Sequence, residues 1–232
     1  MSNLKPHLVN LLERPLASYL DHTLLGPTTT AAAIEQLCNE ALIHSFKAVC
    51  VNGCHLERAT SLLRGSAVDV AAVVGFPLGA NTTAAKCCEA ENCMAAGAKE
   101  LDVVLNLGWV KSENYAAILN ELNVLRALSS NSVLKLILET CYLTDAEKIR
   151  VCELAREAQW DFVKTSTGFG NSGATVLDVE LMKRATASQL LVKASGGIRD
   201  LGFALELIAA GADRLGTSSG IALMQAYNTM EL

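Results

Sequence analysis

A chain of 232 residues with 51% hydrophobic side chains can bury one sizeable core. The net charge of -5, with no run of Lys or Arg, argues against nucleic acid as a partner, because neutralising phosphates needs a clustered basic face. No uninterrupted apolar stretch reaches the ~18 residues of a membrane span, and residues 1–14 lack the apolar segment of a secretion signal, so no membrane partner is expected.

In chain order, a helix is expected over about residues 3–16 and a first strand over 19–22. Residues 30–45 follow as a helix with Ile34, Leu37, Ala41 and Leu42 along one face. Strands are predicted at 47–51 and 68–74, a helix over 83–96, and a strand at 100–105. Next come a helix over 112–128 and a strand at 133–139. The helix over 144–158 opens Thr144-Asp145-Ala146-Glu147, a capping-box pattern. Strands at 162–165 and 190–194 precede helices over 176–186 and 201–210, and Asp200 is a good N-cap for the second. A last strand at 214–216 leaves a C-terminal tail over about 225–232.

Glycine follows two helix ends, at Gly97 and Gly211, where the left-handed exit position favours it. Eight short apolar runs alternating with helical segments imply parallel strands and right-handed crossovers. No linker or biased segment divides them. The expected fold is therefore α/β, a single (β/α)8 TIM-barrel domain over residues 1–232. The alternative is an open doubly wound sheet. It lacks a Gly-x-Gly-x-x-Gly after the first strand. Gly168, Gly170 and Gly173 match that spacing, but after the sixth strand and without a suitably placed acid, a weak signal for a dinucleotide.

The eight cysteines (Cys38, Cys50, Cys54, Cys87, Cys88, Cys93, Cys141 and Cys152) include no Cys-x-x-Cys pair, and His7, His22, His44 and His55 are scattered. No metal site is expected, and the thiols read as reduced, packed groups of a cytoplasmic protein.

Ionisable residues embedded in apolar strands carry the chemistry: Asp102 in Leu-Asp-Val-Val, Lys135 and Glu139 in the fifth strand, Lys164 in Phe-Val-Lys-Thr and Lys193 in Leu-Val-Lys-Ala. Such groups are seldom buried without partners. One such lysine could reach water from a strand end. Two lysines 29 residues apart, each before a glycine-bearing loop, instead place two ammonium groups on neighbouring strands at the C-terminal rim, the catalytic face of this fold.

A second cation and partial desolvation both disfavour the charged amine. Lowering a lysine pKa by about three units, roughly 4 kcal/mol, exposes a nucleophile able to attack a carbonyl. Asp102 either relays protons or is a structural salt bridge inside the barrel. Residues 167–173, 196–199 and 216–220 are glycine-bearing loops after the sixth to eighth strands, suited to cradling a phosphate with backbone N–H groups and hydroxyls. Arg199 either adds charge there or stays on the surface. Cys50, near a strand end, is either a reactive thiol or a small packed group.

Six segments in register resemble the deoxyribose-phosphate aldolase family, a class I Schiff-base family. They are Leu20-Asp21-His22-Thr23-Leu24-Leu25, Gly75-Phe76-Pro77-Leu78-Gly79-Ala80-Asn81-Thr82-Thr83, Glu100-Leu101-Asp102-Val103-Val104, Glu139-Thr140-Cys141, Lys164-Thr165-Ser166-Thr167-Gly168-Phe169-Gly170 and Lys193-Ala194-Ser195-Gly196-Gly197-Ile198-Arg199. The likeness spans roughly residues 17–223. It implies a carbon–carbon lyase of deoxyribonucleotide and carbohydrate catabolism. Such an enzyme splits 2-deoxy-D-ribose 5-phosphate reversibly into D-glyceraldehyde 3-phosphate and acetaldehyde without metal or cofactor.

By the resemblance Lys164 forms the imine, and Lys193 and Asp102 form a proton relay. Thr23, Cys50, Lys135, Thr167, Gly168, Gly196, Gly197, Arg199, Gly216, Ser218 and Ser219 hold the sugar phosphate. The chain departs from the family pattern at Gly26-Pro27, Gly53-Cys54 and Ala158-Gln159-Trp160, all expected to lie outside the chemistry, and it ends without a terminal tyrosine tail. Other readings are a transaldolase-like Schiff-base enzyme and a sugar-phosphate-binding barrel without catalysis. Exposed apolar helix faces would suit a homodimer.

Overall fold

The computed structural model describes residues 12–230. Most of the helix expected over 3–16 lies outside the described residues, and Leu16–Tyr19 is a 3-10 turn. Eight strands close into one parallel barrel: β1 (Leu20–Leu24), β2 (Ala48–Val51), β3 (Asp69–Val74), β4 (Glu100–Val104), β5 (Val133–Ile137), β6 (Phe162–Lys164), β7 (Leu191–Ser195) and β8 (Arg214–Thr217). β1 pairs with both β2 and β8, so no open edge remains, and the doubly wound alternative is excluded.

Around the barrel run α1 (Ala31–His44), α2 (Leu56–Leu62), α3 (Thr83–Ala95), α4 (Leu107–Lys111), α5 (Tyr115–Leu128), α6 (Asp145–Glu157), α7 (Val176–Ala185), α8 (Leu201–Ala209) and α9 (Gly220–Asn228). Their starts follow side-chain chemistry. Thr30, Thr82, Asn114 and Thr175 each accept a backbone N–H from the first turn of the helix they open. Thr144 and Glu147 form the predicted capping box, and Asp200 accepts from the Phe203 N–H at 2.9 Å.

The helix predicted over 112–128 starts at Tyr115, and a short helix that was not expected, Leu107–Lys111, precedes it. Asn106 caps a first short helix, Glu113 turns left-handed at φ +54°, and Asn114 caps the second. The tail expected from 225 is helical as far as Asn228, because α9 starts at Gly220. Among the described residues, no helix is long and apolar enough to cross a membrane.

Strand alternation divides the molecule into two zones. Leu101 and Val103 of β4, Leu134 and Leu136 of β5, and Val192 and Ala194 of β7 face outward into the main apolar core with the helices. The alternate residues Glu100, Asp102, Lys135 and Lys193 point inward. Arg214 on β8 reaches Glu100 on β4 at 3.1 Å, a contact between non-neighbouring strands that only the barrel interior allows. Branched aliphatic layers usually fill such a barrel. Here a charged cluster takes much of the interior, beside a small apolar group of Cys50, Ala71 and Val73.

Candidate active site

Lys164 ends β6 and is the registered neighbour of Lys193 on β7. Both Nζ atoms lie 2.7 Å from the same oxygen, Asp102 Oδ2. The other Asp102 oxygen takes Lys135 at 2.7 Å, and Lys135 also meets Glu100 at 2.6 Å. Glu100 binds Arg214, Arg214 binds Asp21, and Asp21 returns to Lys193 at 2.5 Å. The result is a closed ring of buried ion pairs, with Lys164 attached at Asp102.

Charge counting singles out one member. Lys135, Lys164, Lys193 and Arg214 meet the carboxylates Asp21, Glu100 and Asp102, so the fully ionised cluster carries one surplus positive charge. Lys135, Lys193 and Arg214 each touch two carboxylates. Lys164 touches one, and shares it. An unbalanced charge in a dry interior is costly, so the proton held least tightly is the one on Lys164.

The pKa directions follow this supply of carboxylates. Burial drives Lys164 below the ordinary lysine value, Asp102 resists, and Lys193 adds repulsion. Burial acts against the charges on Lys193 and Lys135 too. Asp102 with Asp21, and Asp102 with Glu100, overcome it and raise both. Burial likewise opposes ionisation of Asp102, yet Lys135, Lys164 and Lys193 hold its carboxyl well below the usual range. The first cause at Lys164 is thus burial, with the neighbouring cation second.

Above Lys164 opens a cavity of about 330 Å³. Its walls include Thr23, Thr167, Gly168, Gly196, Gly197, Arg199, Gly216 and Ser218, brought together from the ends of β1, β6, β7 and β8. Gly196 and Gly197 both adopt positive φ, +88° and +78°, which suits glycine and turns this loop over the barrel mouth. A Cβ on Gly173 would sit 2.1 Å from the Gly196 carbonyl, so the loops after β6 and β7 touch backbone to backbone. Ser218 precedes α9, whose N-terminal positive end favours an anion. Across the mouth Phe169 meets Phe76 edge to face, at 5.3 Å between centroids.

Several expected positions fall elsewhere. Lys193 lies in the barrel interior, fully buried, because it sits mid-strand while Lys164 ends its strand. Lys135 does not line the cavity; Glu100 and Asp102 draw it inward. Cys50 is fully buried with Sγ 3.9 Å from Asp102 Oδ2, and burial raises its thiol pKa, with Asp102 adding to the rise. It is a packed group beneath the cavity. Ser219 is the N-cap residue of α9 and gives its N–H to Thr217 Oγ1, 2.9 Å away. Arg199 is exposed and does line the cavity, as does Gly26, one of the departures expected to lie outside the chemistry.

The sequence reading passed over Asp21, Glu100 and Arg214 as site residues, although each is a charged group in a short apolar run. Glu139 was read as an embedded charge without a role. It follows β5 in the left-handed region, φ +53°, which costs a residue with a Cβ about 1–2 kcal/mol. The turn aims its buried carboxylate at the Thr167 N–H, at 3.2 and 3.3 Å from the two oxygens, and at the Thr167 hydroxyl.

The family model described as DeoC/LacD family aldolase matches residues 16–226. A deoxyribose-phosphate aldolase from Carboxydothermus hydrogenoformans is 51% identical over 214 residues, 90% of this chain and 94% of that protein. One from Thermoanaerobacter sp. strain X514 is 47% identical over 220 residues, covering 94% and 99%. Among solved structures, the tetrameric deoxyribose phosphate aldolase of Aeropyrum pernix superposes with a TM-score of 0.89 at 31% identity, over 99% of each chain. With its paired lysines on one carboxylate beneath a glycine-walled cavity, the chain belongs to the DeoC/LacD family of aldolases.

Proposed function

We propose that this chain is a deoxyribose-phosphate aldolase, cleaving 2-deoxy-D-ribose 5-phosphate reversibly to D-glyceraldehyde 3-phosphate and acetaldehyde through an imine on Lys164. One observation carries the reading. Of the four interior cations, Lys164 alone has a single, shared carboxylate, and it borders the cavity. An amine that gives up its proton there attacks the C1 aldehyde of the open-chain sugar. The resulting iminium accepts the C2–C3 bond pair, C3 leaves as an aldehyde, and an enamine of acetaldehyde stays on the lysine until it is protonated and hydrolysed.

Asp102 and Lys193, bonded to each other beneath Lys164, shuttle protons for carbinolamine dehydration and enamine protonation. The phosphate lies against Gly168, Gly196, Gly197, Gly216 and Ser218, with Arg199 supplying charge and Thr23, on the strand next to β8, completing the wall. The unpaired cysteines fit a cytoplasmic setting. Exposed apolar groups on helices, Ile43 at 77% and Leu177 at 75%, support a homo-oligomer, the dimer being the simplest form.

The deciding experiment adds acetaldehyde and borohydride and locates the reduced adduct by mass spectrometry. The adduct is expected on Lys164 and absent from Lys164→Ala, which has no turnover. An adduct elsewhere, or an active protein that traps nothing, rejects the assignment. Transfer of a dihydroxyacetone unit in place of acetaldehyde trapping would point to a transaldolase-like reaction.

A further inference from the structure

Cleavage of the C2–C3 bond requires a group that takes the proton of the C3 hydroxyl. Asp102 and Lys193 are fully buried below Lys164, and neither borders the cavity. Thr167 does border it. It stands between Lys164 and Gly168 in the chain, as C3 stands between the imine carbon and the phosphate in the substrate. Its hydroxyl donates to Glu139 Oε2 and accepts the Phe169 N–H at 3.0 Å. A hydroxyl has one proton and two lone pairs, so these two bonds leave one lone pair for a further donor.

We propose that Glu139 is a positioning residue for this reaction, holding the Thr167 hydroxyl as the proton acceptor for the substrate's C3 hydroxyl. The proposal rests on the assignment of Lys164 as the imine-forming amine. As C2–C3 breaks, its electron pair moves into the iminium and C3–O becomes a carbonyl. The C3 hydroxyl proton passes to Thr167 Oγ1 while the Thr167 proton passes to Glu139. The carboxylic acid so formed returns its proton to water once the aldehyde has left, restoring the carboxylate, and the enamine takes its proton from the relay below.

The surroundings of Glu139 suit this task. Gly170 packs against both the Glu139 carboxyl and the Cys141 sulfur, where a Cβ would come within 3.1 and 2.9 Å. The charged group facing Glu139 from β6 is Lys164, and the Cys141 thiol, in the turn that follows, packs on the same glycine. Burial raises the Glu139 carboxyl above the ordinary glutamate value, while Thr167 and Lys164 pull the other way. A base displaced toward neutrality accepts a proton more readily than an ordinary carboxylate. The sign for activity follows: the carboxylate is needed, so cleavage declines as pH falls through that raised value.

The test compares cleavage with acetaldehyde trapping, which involves no C3 hydroxyl. Glu139→Gln should lower kcat for the sugar phosphate about 100-fold or more, with KM little changed. It should also lose the acid limb of the kcat profile while borohydride still traps acetaldehyde on Lys164 at the wild-type rate. Glu139→Asp, which keeps the charge, should recover part of kcat and the acid limb. If Glu139→Gln misfolds, the near-isosteric Thr167→Val should show the same separation of cleavage from trapping. Wild-type kcat in Glu139→Gln, an unchanged acid limb, or equal loss of trapping and cleavage in both folded variants overturns the proposal. Absence of a wild-type adduct on Lys164 is a different result, and rejects the imine assignment itself.

Discussion

Two buried lysines, one between the helices and one at the barrel mouth, have opposite circumstances. Lys86 on α3 meets Glu121 of α5 at 2.6 Å and the Val104 carbonyl at 2.8 Å. Among the described residues Glu121 serves no other cation, and its second oxygen takes the Thr83 hydroxyl at 2.9 Å. Lys164 is buried too, but it borders the cavity and shares Asp102 Oδ2 with Lys193. Burial alone therefore does not make a reactive amine. Within the barrel, where every cation is buried, the supply of carboxylates singles out Lys164.

Asp102 should be the most sensitive position. Asp102→Asn leaves Lys135 with Glu100 and Lys193 with Asp21, but strips Lys164 of its ion-pair partner. Breaking a buried network this way costs about 3–5 kcal/mol of stability, measurable by urea unfolding. Turnover should fall by about 10³-fold, because the shared relay atom is gone. Near wild-type turnover would show that Asp102 is not the relay atom.

Lys193→Leu tests the same balance from the other side. Asp21 keeps Arg214 and Asp102 keeps Lys135 and Lys164, so no carboxylate is orphaned and the barrel should remain folded. The cluster then holds as many cations as anions, and Lys164 is no longer surplus. Removing the repulsion of Lys193 raises the Lys164 pKa. The amine is free only above its pKa, so the pH at which borohydride trapping reaches half its maximum should move upward. Turnover at neutral pH should fall severely. A trapping profile that stays in place would leave burial as the whole cause.

How much of this was legible depended on distance along the chain. The barrel could be read because strand and helix alternate locally, and Lys164 with Lys193 because they are one strand–helix–strand unit apart. The glycine loops were legible for the same reason. The ring was not, because Arg214 and Glu100 lie 114 residues apart and meet only through the barrel interior. Lys135 and Cys50 were expected at the cavity by the family resemblance, and a strand pattern, which shows the face a side chain takes but not how far up the barrel it reaches, could not correct this. Glu139 was hidden for another reason. Its direction comes from a left-handed backbone turn, and no glycine marks it. Gln159 at φ +55° shows the same at the Ala158-Gln159-Trp160 departure, where the left-handed exit from α6 is made without glycine.

The smallest effect is expected from the pair between the helices. Replacing Lys86 and Glu121 together, as Lys86→Met with Glu121→Leu, removes both charges and keeps similar volume. A buried ion pair exchanged for well-packed apolar groups is often neutral, or stabilising by about 1–4 kcal/mol, since desolvation of both ions is relieved. Here the gain is reduced by the hydrogen bonds lost at the Val104 carbonyl and the Thr83 hydroxyl, roughly 1 kcal/mol each. Thermal unfolding should therefore change by only a few degrees, with kcat unaltered. The same apolar exchange at Lys193 and Asp21 leaves the surplus charge in place but removes the cation of the proton relay, and should instead eliminate activity. Equal effects at the two sites would mean that the interior ring is structural, like the pair on the helices, and that Lys193 has no part in the proton transfers.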